Sequence, residues 1–232
     1  MNMEKMEELV RDAVHDADLR PNEIPMIDLY LDQILSLADA KRQEGSARFY
    51  DRELTKTMIN NYSKDGLIEP IKGKKYSRDQ ILQMLLVYSL KNTLSIGEIK
   101  RILQNTYELE SYNSEMLEDV YGRFLAIKDY ERAHAWELVT SFLEQEELDV
   151  GKESDFLTLL LGLSAMSSYL KNIVQALLEE HYIYPDELRE MEKRERKEEA
   201  ARAKEEKKAE KQAAKTKGDE SGEESAASEE AE

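Results

Sequence analysis

The sequence predicts an all-α protein with one small β element and a disordered, charged tail. Apolar residues recur at spacings of three and four through most of the first 185 residues, which is the period of an amphipathic helix. Residues 67–77 instead mix β-favouring side chains with a Pro and a Gly, which predicts a short β wing. With 232 residues and 41% hydrophobic content, the chain is long enough for one or two domains with real cores.

The composition argues against several classes of function. The chain has no Cys, and its three His residues, His15, His134 and His181, lie far apart, so neither a disulfide framework nor a metal site is expected. The sequence has no P-loop, no G-x-G-x-x-G, no G-x-S-x-G and no His close to a candidate nucleophile. We therefore expect no cofactor and no enzymatic activity.

The sequence predicts a cytoplasmic protein that does not insert into a membrane. Its amino-terminal stretch is acidic and amphipathic and lacks the basic start, apolar core and cleavage site of a secretory signal. The longest uncharged run, 156–170, has 15 residues, whereas a membrane span needs roughly 18 or more. We expect this run to be a buried helix, enclosed by other helices or by a second copy of the chain.

Two helices are predicted in the first part of the chain, after a helical extension over residues 1–23. One amphipathic helix is expected over 24–43, with Pro25 near its start and Ile27, Leu31 and Ile34 on its apolar face. The next helix is short. It is expected to be capped by the hydroxyl of Thr55 and to stop at Gly66.

A wing and two further helices are expected after Gly66. Residues 67–77 predict two tiny strands joined by a turn at Lys72 and Gly73, and Pro70 fits only an edge position. The spacings Ser77 to Gln80 and Ser95 to Glu98 predict capping boxes, each of which opens a helix. Helix, short helix, wing, helix, helix is the order of a winged helix-turn-helix fold.

This segment resembles the DNA-binding head of MerR-type bacterial regulators. The resemblance is carried by "NNYSKDGLIEP", "KKYS" and "LSIGEIK", in which the matching residues are Tyr62, Gly66, Leu67, Pro70, Tyr76, Ser77, Ser95, Glu98, Ile99 and Lys100. The chain is still more similar to an uncharacterised, MerR-like family, mostly from Firmicutes, over about 24–103. MerR-type reading helices usually carry an Arg before paired Tyr residues, whereas this chain has Asn60 and Asn61 before a single Tyr62.

The charge distribution predicts double-stranded DNA as a partner. Residues 52–101 hold ten Lys or Arg and five Asp or Glu, in a chain whose formal net charge is −17. Phosphate neutralisation supplies most sequence-independent affinity for DNA. The candidate DNA-binding residues are Thr55, Lys56, Thr57, Asn60, Asn61, Tyr62, Lys64, Lys72, Gly73, Lys74, Lys75, Tyr76 and Arg78.

Different roles are expected within this set. Asn60 and Asn61 are expected to pair with adenine edges, which is how Asn usually specifies a base. Thr55, Thr57 and Tyr62 are expected to contact phosphates, and residues 72–78 to clamp the DNA backbone. The alternative is that these cations only form a solvated face, and that Asn60 and Asn61 have no partner.

The predicted organisation has four parts: the extension 1–23, a MerR-like winged helix-turn-helix domain 24–105, a helical dimerisation or effector region 106–185, and a charged low-complexity tail 186–232. A homodimer is expected, because winged heads commonly read two half-sites. Any small-molecule effector is unidentified. The acidic end of the tail is expected to be disordered and either keeps the protein soluble or folds back on the Lys-rich wing. The alternative function is a protein-interaction or scaffold module with a degenerate winged helix.

Overall fold

The computed structural model describes residues 1–15, 17–43, 53–71, 73–184, 186–191, 193–194, 196–198 and 202. Its helices are α1 (Met3–Val14), α2 (Leu31–Gln43), α3 (Lys56–Lys64), α4 (Arg78–Leu90), α5 (Ile96–Tyr107), α6 (Ser114–Gln145) and α7 (Glu153–His181). One turn of 3-10 helix covers Pro21–Glu23, and the strands are β1 (Leu29–Tyr30) and β2 (Lys75–Tyr76). The prediction of an all-α protein with a small β element is confirmed.

The chain divides into two compact units, Met1–Tyr182 and Ile183–Glu232. In the second unit, residues 186–191 are helical, and Arg189 lies 3.4 Å from the carboxylate of Asp186. The acidic end of the tail, 218–232, lies outside the described residues. The finer division of the first unit, at residues 24 and 106, stays a prediction.

The main core of the first unit lies around α4. Residues Ile81, Leu82, Met84 and Val87 of this helix are fully buried, and they pack with buried residues of α2, α3, α5 and α6. Because α4 is surrounded by other elements, it is apolar on nearly all sides, as expected of a central helix. A second cluster joins α1 to the last part of α6 and the first part of α7. Its buried residues are Met6, Val139, Leu143, Val150 and Leu159.

The capping predictions are confirmed. The side chain of Ser77 accepts from the backbone N–H of Gln80, and the Gln80 side chain accepts from the backbone N–H of Ser77. Ser95 and Glu98 make the same reciprocal pair at the start of α5. Each box satisfies two donors at a helix start that have no partner within the helix.

The prediction of one helix over 24–43 is wrong for its first seven residues, since α2 begins at Leu31. Ile24 is extended, which is the conformation favoured for a residue before Pro. Leu29 and Tyr30 form β1 instead, because they pair with Tyr76 and Lys75 of β2 in antiparallel register.

The predicted hairpin within 67–77 is wrong in its first strand. Leu67 and Ile68 are buried in the core, and the backbone of the next two residues bonds to side chains of α4. Gln80 donates to the carbonyl oxygens of Glu69 and Pro70, and Gln83 accepts from the backbone N–H of Glu69 at 2.9 Å. These side chains take the bonds that a strand would have used, so β2 pairs with the distant β1.

The prediction that 156–170 is a buried helix is wrong for a single copy of the chain. Of the whole of α7, only Leu159 and Leu178 are fully enclosed. In the described part of the chain, the helix that begins at Glu153 is long and apolar enough to cross a membrane by length and composition. Its most apolar 18-residue window has a mean hydropathy of 1.3 and is 6% buried.

Candidate nucleic-acid interface

The helix α3 has the boundaries that its sequence predicts. The hydroxyl of Thr55 accepts from the backbone N–H of Met58 at 3.3 Å, which satisfies one of the free donors at the helix start. At the other end, Gly66 has a positive φ of 70°, a conformation in which Gly is favoured. The N–H of Leu67 then bonds to the carbonyl oxygen of Tyr62 at 2.9 Å and closes the helix.

One face of α3 is buried and the other is open to solvent. Ile59 and Tyr62 insert into the core. The solvent-facing residues are polar or cationic: Lys56, Thr57, Asn60, Asn61 and Lys64. Spacings of three and four place these side chains along one side of the helix. The core therefore holds α3 so that these five candidate DNA-binding residues remain accessible.

Tyr62 does not belong to this accessible face, which corrects its predicted role as a phosphate contact. The side chain is 4% exposed, and its hydroxyl meets no hydrogen-bond partner among the described residues. Burial, and then the neighbouring Tyr88, raise the pKa of Tyr62 to about 12. In this arrangement Tyr62 anchors α3 to the core, and it cannot reach a phosphate.

Two exposed lysines lie where the turn at Gly73 meets β2. Gly73 has a φ of 93°, and a Cβ at this position would meet nothing within 4 Å, so the turn is open on its outer side. Lys74 and Lys75 are both exposed. Lys72, the remaining lysine of the predicted clamp, lies outside the described residues. Like Lys56 and Lys64, the two described turn lysines make no ion pair to any other described side chain.

The two residues after the turn lysines that were predicted to touch DNA have structural roles instead. Tyr76 is 6% exposed and packs in the core. The guanidinium of Arg78 lies 2.8 Å from the carboxylate of Glu118 on α6 and donates to the carbonyl oxygen of Pro21 at the same distance. Arg78 therefore ties α4 to α6 and to the segment before β1, and its charge is already compensated.

Other members of the basic segment are also neutralised within the protein. Arg101 on α5 is 5% exposed, and its guanidinium lies 2.7 Å from the carboxylate of Glu179 on α7. Arg52 lies outside the described residues. The accessible positive charge of this segment is consequently smaller than the sequence suggests: among its described residues, the exposed cations are Lys56, Lys64, Lys74 and Lys75, in α3 and beside Gly73.

The strand pairing adds one residue that the sequence did not indicate. Tyr30 is 49% exposed, and the ammonium group of Lys75 lies 5.0 Å from the centre of its ring. This cation–π contact directs the lysine along the outer face of the wing. A strand of two residues has too little alternation to be predicted, so no sequence pattern pointed to Tyr30.

An open groove of about 1120 Å³ lies beside the start of α3. Its floor is apolar and includes Leu19, Leu85 and Phe124. Most of the charges on its walls are paired, since Lys128 lies 2.5 Å from Asp18, and Arg42 lies 2.6 Å from Asp39 and 2.9 Å from Glu53; Lys56 also lines the groove and makes no such pair with a described residue. Because the paired charges neutralise one another, the groove indicates no particular class of ligand. In the described part of the chain, no three His, Asp or Glu residues are grouped so that they could hold a metal ion.

Residues 19–124, slightly less than half of the chain, match a family described as a domain of unknown function, DUF1836. The match begins at Leu19 and extends beyond α5 into the first third of α6. Neither a curated protein nor a solved structure matches the chain. The match therefore covers the part of the chain that carries α3 and the wing.

Proposed function

We propose that the protein is a cytoplasmic, bacterial transcriptional regulator that binds double-stranded DNA through a MerR-like winged helix-turn-helix head. The observation that carries the proposal is the division of α3 into two faces. Ile59 and Tyr62 are buried, while the five polar or cationic residues beginning with Lys56 are open to solvent. A short helix with this division suits the major groove, where Asn side chains read base edges.

The turn at Gly73 supplies the second part of the proposal. Lys74, in the turn, and Lys75, the first residue of β2, are both exposed, and neither is neutralised by a described acidic side chain. Lysines of this kind contact DNA phosphates and fix the register of the protein without reading the sequence. The strongly acidic remainder of the chain would repel DNA, so binding depends on these few cations.

Charge-reversal variants test the proposal. Affinity for double-stranded fragments selected from genomic DNA is measured by fluorescence anisotropy over a series of salt concentrations. We expect the double variant Lys74→Glu, Lys75→Glu to bind at least tenfold more weakly and to lose about two from the slope of log affinity against log salt. The matched control is Lys193→Glu, Lys197→Glu, which makes the same charge change at two exposed lysines of the tail.

The reading residues are tested separately. We expect Asn60→Ala and Asn61→Ala to reduce the preference for the selected site over other sequences, by about 1–3 kcal/mol for each base that is read. Circular dichroism establishes that the variants remain folded. If the double variants in the turn and in the tail weakened DNA affinity equally, the loss would follow from net charge alone. That result would contradict the proposed interface.

The alternative is a protein-interaction module whose winged helix no longer binds DNA. The observation that favours it is the amount of apolar side chain exposed on α7. No retention of DNA at low salt, together with recovery of a protein partner that tolerates the Lys74 and Lys75 changes, would select this alternative.

A further inference from the structure

The apolar residues of α7 follow a heptad pattern. Steps of three and four residues connect Phe156, Leu159, Leu163, Met166, Leu170, Ile173 and Leu177, which we call the α7 seam. Such spacing keeps side chains on one side of a helix and is typical of helices that pair along their length. The flanking positions Tyr169, Val174 and Ala176 are uncharged as well.

The two halves of the seam have different surroundings. Leu159 is 2% exposed and belongs to the cluster that α1, α6 and α7 share, and Leu163 packs against that cluster. The second half has no such cover: Leu170 and Ile173 are each 55% exposed, and Leu177 is 64% exposed. The apolar side of α7 is thus buried in the first half of the helix. It continues into the second half, where no described residue covers it.

We propose that a second copy of the chain covers the exposed half of the α7 seam, in a two-fold symmetric pair with Ile173 close to the axis. The axis lies perpendicular to α7, so the two copies of the helix run antiparallel, and because each copy contributes the same patch, Leu170 of one copy meets Leu177 of the other. The seam and its flanks carry no charge that this pairing would bring into like-charge contact. The pairing does not rest on DNA binding, although it would place two heads on one DNA molecule.

The exposed area is close to what a specific dimer needs. In the second half of the α7 seam and at its flanks, the exposed apolar side chains are Tyr169, Leu170, Ile173, Val174 and Leu177. An aromatic side chain covers roughly 150–250 Å² when fully buried and an aliphatic one covers less, so these five residues, which are 38–64% exposed, leave on average on the order of 100 Å² accessible. A two-fold pair would bury about 1,000 Å² from these residues alone, close to the lower end for specific interfaces.

A lipid bilayer fits the same surface less well, because α7 is fixed to the rest of its unit near its carboxyl end. The amide of Gln175 donates to Glu98 on α5 at 2.7 Å, and Arg101 donates to the carbonyl oxygen of Tyr182 at 2.7 Å. Leu159, in the first half of the helix, is enclosed by the second core cluster. Insertion into a membrane would break these contacts, whereas a second copy leaves them intact.

The test measures the mass of the full-length protein in solution without DNA. Sedimentation equilibrium is expected to give twice the chain mass. The double variant Ile173→Glu, Leu177→Glu is expected to give the mass of one chain with unchanged helicity, because it places like charges opposite each other. The matched control, Leu157→Glu, Leu161→Glu, changes two equally exposed residues of α7 that lie off the seam, and it is expected to remain a dimer.

Crosslinking locates the axis. The chain has no Cys, so Ile173→Cys gives one thiol per copy. A residue on a two-fold axis approaches its own counterpart closely enough for a disulfide, so oxidation is expected to link this variant and not Leu157→Cys. A wild-type protein that is monomeric at every concentration overturns the proposal, as do dimers that survive the seam changes. Flotation of the wild-type monomer with phosphatidylglycerol vesicles would instead assign the surface to lipid.

The result is separable from the proposed function. The variant Lys74→Glu, Lys75→Glu should remain dimeric whether or not it binds DNA. The variant Ile173→Glu, Leu177→Glu should keep its winged helix-turn-helix head folded. It should lose affinity only for DNA that carries two half-sites. A dimer that binds no DNA would contradict the proposed function alone, and a DNA-binding monomer would contradict the seam proposal alone.

Discussion

The hydroxyl of Tyr121 on α6 donates to the carbonyl oxygen of Leu19 at 2.8 Å, although the two residues are 102 positions apart. Both side chains are buried, so the bond joins the start of the matched domain to α6 inside the core. We expect Tyr121→Phe to lower the free energy of unfolding by about 1–2 kcal/mol, because a buried carbonyl loses its donor. Urea denaturation measures the change. Tyr130→Phe, at a 61% exposed position, is the control and should stay within about 0.5 kcal/mol of the wild type.

Arg101 is predicted to stabilise the protein, although its sequence context suggests a DNA contact. Its guanidinium bonds to the carbonyl oxygen of Tyr182 and pairs with Glu179, so it fastens α5 to the end of α7. We expect Arg101→Met to cost about 2 kcal/mol in urea denaturation, since the partly buried carbonyl oxygen of Tyr182 loses a charged donor. Arg123→Met removes an exposed ion pair with Asp119 and should cost less than about 0.5 kcal/mol. Equal effects of the two changes would contradict this role.

The same substitution is predicted to have opposite effects at two glycines. Gly66 has a positive φ, so Gly66→Ala should destabilise by about 1–2 kcal/mol even though its Cβ would have space. Gly122 lies inside α6 with nothing within 4 Å of an added Cβ, so Gly122→Ala should stabilise by about 0.5–1 kcal/mol. Thermal unfolding of both variants checks the sign. Unchanged stability of Gly66→Ala would show that space, rather than backbone conformation, decides the outcome at that position, and a loss of stability for Gly122→Ala would contradict the helix-propensity argument.

Tyr62→Phe separates an anchoring role from a phosphate contact. Its buried hydroxyl finds no partner within the described chain, so removing it should leave stability unchanged or raise it by about 1 kcal/mol. DNA affinity should also be unchanged, because the hydroxyl does not reach the surface. Asn61→Ala, one residue earlier on the exposed face, should instead leave stability unchanged and weaken site-specific binding. A drop in DNA affinity for Tyr62→Phe would contradict the burial-based assignment.

Acid is predicted to weaken the junction between α5 and α7. The side chain of Gln175, and then the backbone N–H of Ser95, hold the pKa of Glu98 below its ordinary value of 4.5. A lowered carboxyl pKa contributes stability that is present above the ordinary value and is lost as the pH falls through the folded value. Glu98→Gln should therefore be less stable than the wild type near pH 6, and the difference should shrink below about pH 4. A constant difference in urea midpoint across this range would contradict the role of the charge.

The features that the sequence predicted correctly depend on short-range chemistry. The caps at Thr55, Ser77 and Ser95 each need a hydroxyl and a backbone N–H three residues later, so the relevant contacts lie within one turn. The stop at Gly66 is of the same kind. The buried and exposed faces of α3 also follow from helical spacing once its two ends are known.

The features that sequence analysis did not predict depend on residues that lie far apart along the chain. Arg78 and Arg101 count as cations in any sum of charge, but their acidic partners, Glu118 and Glu179, lie on α6 and α7. The strand β1 has two residues, which is too few to carry a period. The apolar character of α7 indicates how much surface the helix can bury, but it does not say what covers that surface.

The pairing of Tyr30 with Lys75 also bears on the order in which the molecule assembles. The two strands are separated by more than forty residues that include α2 and α3, so closing this loop is entropically costly and is repaid only when the intervening helices have packed. We therefore expect the wing to form late in folding and its amides to exchange with deuterium sooner than those of α4.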